Sequence, residues 1–576
     1  MTESRDWYKQ AVFYQIWVRS FADGNGDGIG DLYGVYDKLE YVRSLGANAI
    51  WFNPLYPSPN ADYGYDISDY CDIHPDYGDL DQFKKVLDKA HSLGMKVVMD
   101  LVVNHTSDEH PWFLESRKGR DNPYSDYYIW RDVPNNWKSL FEGDAWEYDS
   151  LRGQYYLHLF AKKQPDLNMD NPKVREEVKK ILRFWLDLGI DGFREDVINF
   201  ISKREGLPNG ISFLPILGDM IHYKDGPHIH EYMKEFREVC DEYGAVQIGE
   251  GPMTTVGNAL TYLSGEKKSL DMMFSFDHMT ADCLYTEYMH RPFRLVKLKR
   301  ALSKWQKRLG DRAWNTLYLE NHDHPRVISR YGSEHYHRES GTALATAYLF
   351  LKGTPFIYQG QEIGMTNIRL SSIDRYVDVS SKNNYEKYHL KDDLKSRLRR
   401  IHISSRDSAR TPMQWDDTRY AGFSEAKPWF YVNRNYKRIN VKLQEEDKDS
   451  ILNFYRKCIR IRQKSRTLVF GAYREYLPAD PNVYVYEREL NNIHYLIVVS
   501  FAPVKIPMPV PGALKGIPVQ RVLTNYPALH KEGETLHLPF DFLHLQPYEA
   551  AMFRYRKAAS ASYDSVDKDS ASGRVK

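Results

Sequence analysis

Cysteine is scarce in this chain. There are four in 576 residues, at positions 71, 240, 283 and 458. They form no CxxC pair and no dense framework, so a disulfide-stapled secreted scaffold is excluded and reduced thiols in a cytoplasmic protein are expected. Long apolar runs are missing as well. No stretch of about 18 apolar residues occurs, so no membrane-spanning helix is expected. The polar segment Met1 to Lys9 lacks the apolar core of a secretory signal. Charge of one sign is also absent, with 79 basic residues against 78 acidic ones, which leaves no basic footprint for nucleic acid. No Gly-rich phosphate loop, no HExxH or CxxC zinc pattern and no Ser-His-Asp order is found.

Aromatic residues, by contrast, are plentiful. They make up 14% of the chain, with 43 Tyr and 12 Trp. Such side chains pair an apolar face with a polar tip and suit either an aromatic core or a surface that stacks flat ligands and sugars. The length implies two to four domains, one of which could be a large α/β barrel.

Along the chain, short apolar strands alternate with helix-patterned segments. Strands are expected at Ala11–Phe21, Ala47–Pro54, Lys96–Val103, Ile190–Asp196, Ala245–Glu250, Asp271–Phe276, Thr316–Glu320 and Pro355–Tyr358. Helices are expected at Tyr36–Leu45, Asp81–Leu93, Val174–Leu188, His230–Tyr243, Phe293–Leu309 and Gly341–Leu351. Eight strands with helices between them predict an α/β fold, a parallel (β/α)8 TIM barrel. The barrel is expected over residues 1–105 and 173–475, with a long polar insertion at 366–429 after strand eight. Residues 106–172 lose the rhythm and read as a small inserted domain after strand three, because so long a structureless loop is rare inside a compact domain. From 476 to 557 the pattern becomes alternating and predicts a C-terminal antiparallel β-sandwich. The Ser/Asp/Lys-rich tail, 558–576, is expected to be disordered.

After the first strand comes Asp23-Gly-Asn25-Gly-Asp27-Gly28-Ile29-Gly-Asp31. Oxygen side chains at alternate positions with Gly28 in sixth place match the first nine positions of a calcium loop. Gly34 replaces the closing Glu, which excludes a full EF-hand. A single structural Ca2+, with Mg2+ as the second choice, is expected on Asp23, Asn25, Asp27, the Ile29 carbonyl and Asp31. The alternative is a Gly/Asp turn held by its own side-chain hydrogen bonds.

In such barrels the active site lies at the C-terminal ends of the strands. Those ends carry Asp100, Asn104 and His105 (strand three), Arg194 and Asp196 (four), Glu250 (five), and His322 and Asp323 (seven), with Tyr65 and Asp66 after strand two. Any one of these is more often structural than catalytic. Together they converge several carboxylates, two histidines and an arginine on one mouth, the equipment of glycosidic bond cleavage.

The motifs DLVVNH (Asp100 to His105), QPDLN (Gln164 to Asn168), GFREDVIN (Gly192 to Asn199), IGEG (Ile248 to Gly251), ENHDHPR (Glu320 to Arg326) and SRDSARTPMQW (Ser405 to Trp415) carry a resemblance. The chain resembles the α-amylase family of retaining glycoside hydrolases (family 13) over roughly residues 5 to 555, and in particular its oligo-1,6-glucosidase and α-glucosidase branch. The resemblance implies Asp196 as nucleophile, Glu250 as general acid and base, and Asp323 as transition-state stabiliser. It also implies that Asp66, His105, Arg194, His322 and Arg410 grip a terminal glucose on which Tyr65 stacks. Arg194 is expected to keep Asp196 ionised, and Glu250 needs a raised pKa to hold its proton near neutrality. Val197, next to the nucleophile, resembles members that prefer α-1,6 linkages. The implied activity is exo-acting hydrolysis of isomalto-oligosaccharides such as isomaltose and panose, by a monomer or weak homo-oligomer. Preference for maltose, sucrose, dextran or trehalose 6-phosphate is the alternative. His324-Pro325-Arg326-Val327 follows strand seven in the hydrolase manner, not as the Arg-rich loop of sucrose isomerases. A catalytically dead scaffold would lack the carboxylates. Two positions depart from the family pattern. Gly251-Pro252-Met253 differs from the usual sequence after the acid, and Glu195 replaces an apolar residue. Glu195 should point toward the helix layer, where it needs a basic or hydrogen-bonding partner.

Overall fold

A computed structural model describes residues 5–214, 216–284, 288–387 and 393–556. The tail expected to be disordered lies outside them. Eight strands form one parallel sheet: β1 (Phe13–Ile16), β2 (Ala49–Phe52), β3 (Lys96–Leu101), β4 (Gly192–Glu195), β5 (Val246–Glu250), β6 (Met272–Phe274), β7 (Thr316–Leu317) and β8 (Thr354–Tyr358). The ladder runs β7-β8-β1-β2-β3-β4-β5-β6 and curls into a nearly closed barrel. Among the described residues no backbone ladder joins β6 to β7. The seam is bridged instead by the Thr316 hydroxyl, which donates to the Met273 carbonyl at 3.0 Å.

The barrel has two cores. Phe13, Trp51, Val98, Ile248, Phe274 and Phe356 fill its interior. The opposite faces of the same strands pack outward against helices Leu32–Leu45, Leu80–Ser92, Pro172–Leu188, Ile229–Tyr243, Leu295–Leu309 and His337–Leu349. Alternation along each strand serves both layers, which is why these strands read as nearly continuous apolar runs. Gly192 opens β4 at φ 155°, and a Cβ there would meet the Val246 carbonyl oxygen at 2.2 Å, so only glycine lets β4 lie this close to β5.

The expected strands overran at the site end. The apolar stretch at 316–320 pairs only over Thr316–Leu317, because Glu320 turns inward to accept from the Val327 N–H at 2.5 Å and from Arg326 at 3.2 Å. The first helix starts four residues earlier than expected, at Leu32, because Asp31 caps it by accepting from the Gly34 N–H at 2.7 Å.

Within the segment after β3, strands Trp130–Arg131, Gln154–Leu157 and Trp146–Asp149 form a three-stranded antiparallel sheet. The C-terminal region forms a six-stranded antiparallel sheet and a two-stranded one. It is fastened to the barrel by fully buried Arg488, whose guanidinium donates to the carbonyls of Phe350, Leu468 and Gly471. Among the described residues no helix is long and apolar enough to cross a membrane.

Candidate active site

The ends of β3, β4 and β5 bring four charged side chains into one buried cluster. Arg194 is its only cation. Its Nη1 lies 2.9 Å from Asp100 Oδ1 and 2.5 Å from Asp196 Oδ1, and its Nη2 lies 2.8 Å from Glu250 Oε2. The guanidinium rests over the Trp51 ring at 5.2 Å. The Val197 N–H also donates to Glu250 Oε2, at 3.0 Å. Val197 adopts φ 36° and ψ 38°, a left-handed conformation that strains a β-branched residue and turns the chain sharply after Asp196.

Three carboxyls therefore share one guanidinium. Burial pushes Asp196 well above the ordinary carboxylate range; Arg194 opposes this, while Glu250 and Asp100 add to it. Burial likewise pushes Asp100 up to about 6 against the pull of Arg194. Arg194 pulls Asp196 toward its ionised form, in the direction the sequence alone suggests, but it does so against burial and the repulsion of two neighbouring carboxyls.

Across the mouth the balance is reversed. Asp323 Oδ1 lies 3.2 Å from Arg406 and 3.0 Å from Arg410, and its Oδ2 lies 2.9 Å from His322 Nε2. Burial would raise Asp323, but His322, Arg406 and Arg410 outweigh it and hold the carboxyl well below its usual range. His322 itself is pushed down to about 4 by burial, so it is neutral at pH 7. The Gln15 amide approaches its Nδ1 at 2.9 Å, which leaves the Nε2 hydrogen for Asp323. Arg410 lies over the Trp17 ring at 4.5 Å.

Between the halves lies a cavity of about 310 Å³. Tyr65, His105, Val197 and the carboxylates of Asp196, Glu250 and Asp323 all line it, as the strand ends predict. The Tyr65 hydroxyl binds Asp100 at 3.0 Å and His322 at 2.6 Å, and its ring lies within 7° of parallel to the His322 ring. His105, pushed down to about 4 by burial, meets Gln164 at 3.1 Å.

Four of the expected contacts do not line the cavity: Arg194 and His322 are fully buried, and Asp66 and Arg410 have their places in the wall taken by other residues. Asp66 is fully buried behind the cavity, where it accepts from the Ala61 and Asp62 N–H groups at 2.7 and 2.9 Å and from the Ser58 hydroxyl at 2.8 Å. Its place in the wall is taken by Asp62, which lies 3.0 Å from Arg406 and 3.2 Å from Gln164. Arg410 sits behind Asp323, and the guanidinium that lines the cavity is that of Arg406. Arg406 lies within the motif Ser405 to Trp415, whereas Asp62 lies just upstream of the singled-out Tyr65 and Asp66 and in no quoted motif. Each lies four residues from the one singled out.

Glu195 has the hydrogen-bonding partner it requires. Gln247 donates to it at 2.6 Å on the outer face of the barrel. In the loop at 23–31, the carboxylates accept from backbone N–H groups. Asp23 binds Gly26 at 2.6 Å and Gly28 at 2.8 Å, Asp27 binds Ile29 at 2.8 Å, and Asp31 binds Asn25 at 3.0 Å. The loop thus carries the turn network that was the alternative reading. Its donor set of carboxylate, amide and carbonyl oxygens nonetheless fits a hard cation. Asp31 is fully buried with no basic side chain against it among the described residues, and burial, with Asp23 nearby, raises its carboxyl.

Comparison with known proteins agrees with this geometry. Residues 15–471 match the model of the α-amylase catalytic domain. The chain is 46% identical over 566 residues to an oligo-1,6-glucosidase of Parageobacillus thermoglucosidasius, covering 96% of this chain and 99% of the relative. It is 41% identical to a trehalose-6-phosphate hydrolase of Bacillus subtilis (strain 168), covering 96% of this chain and 99% of that one. It superposes on the crystal structure of isomaltulose synthase from Klebsiella sp. LX3 with a TM-score of 0.90 at 40% identity, covering 95% of this chain and 99% of that one. With the barrel, its strand-end carboxylates and these matches in agreement, the chain belongs to the α-amylase family of glycoside hydrolases.

Proposed function

We propose that the enzyme is a retaining, exo-acting α-glucosidase that removes terminal α-1,6-linked glucose from isomalto-oligosaccharides. The observation that carries this reading is the ion-paired wall of the cavity. Arg406 ties Asp62, from the loop after β2, to Asp323, after β7, at 3.0 and 3.2 Å. A mouth closed on that side admits one terminal sugar and not the middle of a chain. Asp196 and Glu250 are bridged by the fork of a single guanidinium, which supports the short separation, about 5 Å, of double displacement and leaves no room for an intervening water.

In the first step Asp196 attacks the anomeric carbon while Glu250 gives its proton to the leaving oxygen. Glu250 Oε2 is occupied by Arg194 and the Val197 N–H, so Oε1 is the atom that carries the transferable proton. In the second step the Glu250 carboxylate takes a proton from water, the water oxygen attacks the same carbon, and the bond to Asp196 breaks. Asp323, kept anionic by its guanidiniums, stabilises the oxocarbenium-like transition states.

Val197 narrows the aglycone side beside the scissile bond, which supports α-1,6 preference, as does the name of the 46% identical relative. The sucrose-isomerising reading is disfavoured because Arg326, the basic residue of the segment after β7, is buried on Glu320 and the Gln359 carbonyl. A phosphosugar reading is disfavoured because Arg406 already serves Asp62, Asp323 and Asp378. The loop at 23–31 is assigned a structural Ca2+, supported by the donor set and by buried Asp31. Four cysteines outside any disulfide support a reducing, cytoplasmic setting, and a monomer or weak homo-oligomer is assigned. The test is a panel of isomaltose, panose, maltose, sucrose and trehalose 6-phosphate. Isomaltose and panose should be cut fastest, with α-glucose released first. Much faster cleavage of maltose or of the phosphosugar would overturn the linkage assignment.

A further inference from the structure

Glu195 lies between Arg194 and Asp196 in sequence but faces the other way, out of the barrel. It is fully buried, and the bond from Gln247 Nε2 to its Oε1, 2.6 Å, ties β4 to β5. Those strands end in Asp196 and Glu250. The pair leaves two buried acceptors without any donor, Glu195 Oε2 and Gln247 Oε1. Two orphaned acceptors on side chains that already touch are costly. One proton on Glu195 Oε2 supplies the missing donor: the acid O–H then gives to the amide oxygen while the amide N–H gives to the acid carbonyl.

We propose that Glu195 is a neutral carboxylic acid closed into a two-bond ring with Gln247, and that this ring positions the strands carrying the two reacting carboxyls. The proposal rests on the reading of Asp196 and Glu250 as those carboxyls. The surroundings fit a neutral acid. The groups that face Glu195 are Gln247 on β5, Arg237 and Cys240 on helix Ile229–Tyr243, and Asp271 before β6. Arg237 is already committed to Asp271 and Asp241, at 2.9 and 2.5 Å, so it acts on Glu195 only from a distance, and among the described residues no cation pairs with Glu195. Burial pushes Glu195 up to about 8 and holds Cys240 as a thiol. Glu195 touches no substrate and is a positioning residue.

The sign of its effect on stability is fixed. The unfolded chain releases the Glu195 proton near the ordinary carboxylate pKa, and the folded chain releases it only near 8. Between those values the folded state binds the extra proton, so stability falls as pH rises. Glutamine keeps both hydrogen bonds and has no such slope. The Tm of Glu195→Gln minus that of the wild type should therefore be positive and should widen from about pH 5 to about pH 8. A difference that stays flat with pH overturns the neutral acid. So does a wild type at neutral pH whose infrared spectrum lacks a protonated carboxyl band that disappears in Glu195→Gln. Neither readout needs a substrate, so both stand if the linkage assignment fails.

The positioning role is read from Glu195→Met and Gln247→Met, which break the ring from either side. Each should lower kcat about tenfold, as expected for a small misplacement of reacting groups, with KM within about twofold on the best-cut glucoside. Glu195→Gln should restore kcat relative to Glu195→Met. Wild-type kcat in both methionine variants overturns the positioning role.

Discussion

The two halves of the active-site mouth invert each other. On the side of β3 to β5, one cation, Arg194, is shared by three carboxyls, Asp100, Asp196 and Glu250. On the side of β7, one carboxylate, Asp323, is shared by two cations, Arg406 and Arg410. The first is buried and the second partly open, with the Asp323 side chain 28% exposed, and each sets a tryptophan ring under a guanidinium, Trp51 under Arg194 and Trp17 under Arg410. The charge set immediately around the reacting carboxyl decides what each can do. Carboxyls crowded on one guanidinium favour a retained proton and give a half that exchanges protons and bonds. Asp323, held by two guanidiniums and His322 even though Arg406 also serves Asp62 and Asp378, is a fixed anion that waits for positive charge to develop on the sugar.

The largest expected effect removes the bond-forming group from the acid-rich half. Asp196→Asn should lower kcat by about 10⁴-fold or more, and mass spectrometry with a slowly hydrolysed donor should find no glucosyl adduct. Substantial residual turnover would mean that the nucleophile lies elsewhere. Next comes the cation-rich half. Arg406→Ala frees Asp62 and Asp323 together and should cost about 10²- to 10³-fold in kcat/KM. A loss confined to KM would show that Asp323 only grips the sugar.

The inversion is tested most directly by pH. Asp100→Asn removes one negative charge from the group that shares Arg194, so Asp196 should ionise more readily. The acid limb of the kcat/KM profile should move to lower pH. Asp323→Asn, although slower, should leave that limb in place, because Asp323 is held well below the usual carboxylate range and stays anionic across the working window. Its contribution to stability is likewise present above the ordinary carboxylate pKa and is lost only as pH falls through its depressed folded value. If Asp323→Asn moved the acid limb as far as Asp100→Asn, the two halves would not be electrostatically distinct.

How much of this was legible in the sequence follows the same division. The acid-rich half stands on strand ends, where period-two alternation and the barrel count alone put Arg194 and Asp196 on the inner face. Glu195 and its outward direction come from the same alternation. The cation-rich half stands on loops. Asp62 and Asp66 are separated by Tyr63 at φ 47° and Gly64 at φ 104°, two left-handed residues that reverse the chain. No periodicity tells which of two acids in such a turn faces the cavity. Arg406 opens the 3-10 turn Arg406–Ser408 and Arg410 follows it, with the same ambiguity. The sharing of Arg194 was not legible either. It depends on the lateral registry of β3, β4 and β5, where Asp100 pairs with Arg194 and Arg194 with Ile248.

The smallest expected effect lies outside both halves. The loop at 23–31 is fixed to the segment after β8 by backbone bonds, from the Asp23 N–H to the Phe423 carbonyl at 3.0 Å and from the Trp429 N–H to the Gly28 carbonyl at 2.9 Å. An ion there would bind the folded chain only and would touch neither half of the mouth. At about 100 times its Kd it would add about 2.7 kcal/mol, which for a chain of this size is a Tm shift of roughly 2 to 4 °C. A chelator should lower Tm by that amount, added Ca2+ should restore it, and kcat/KM at room temperature should stay within about twofold. An unchanged Tm would leave the loop as a turn held by its own hydrogen bonds. A collapse of kcat/KM at unchanged fold would place the ion within reach of the catalytic halves, which the path from Asp31 through helix Leu32–Leu45 does not provide.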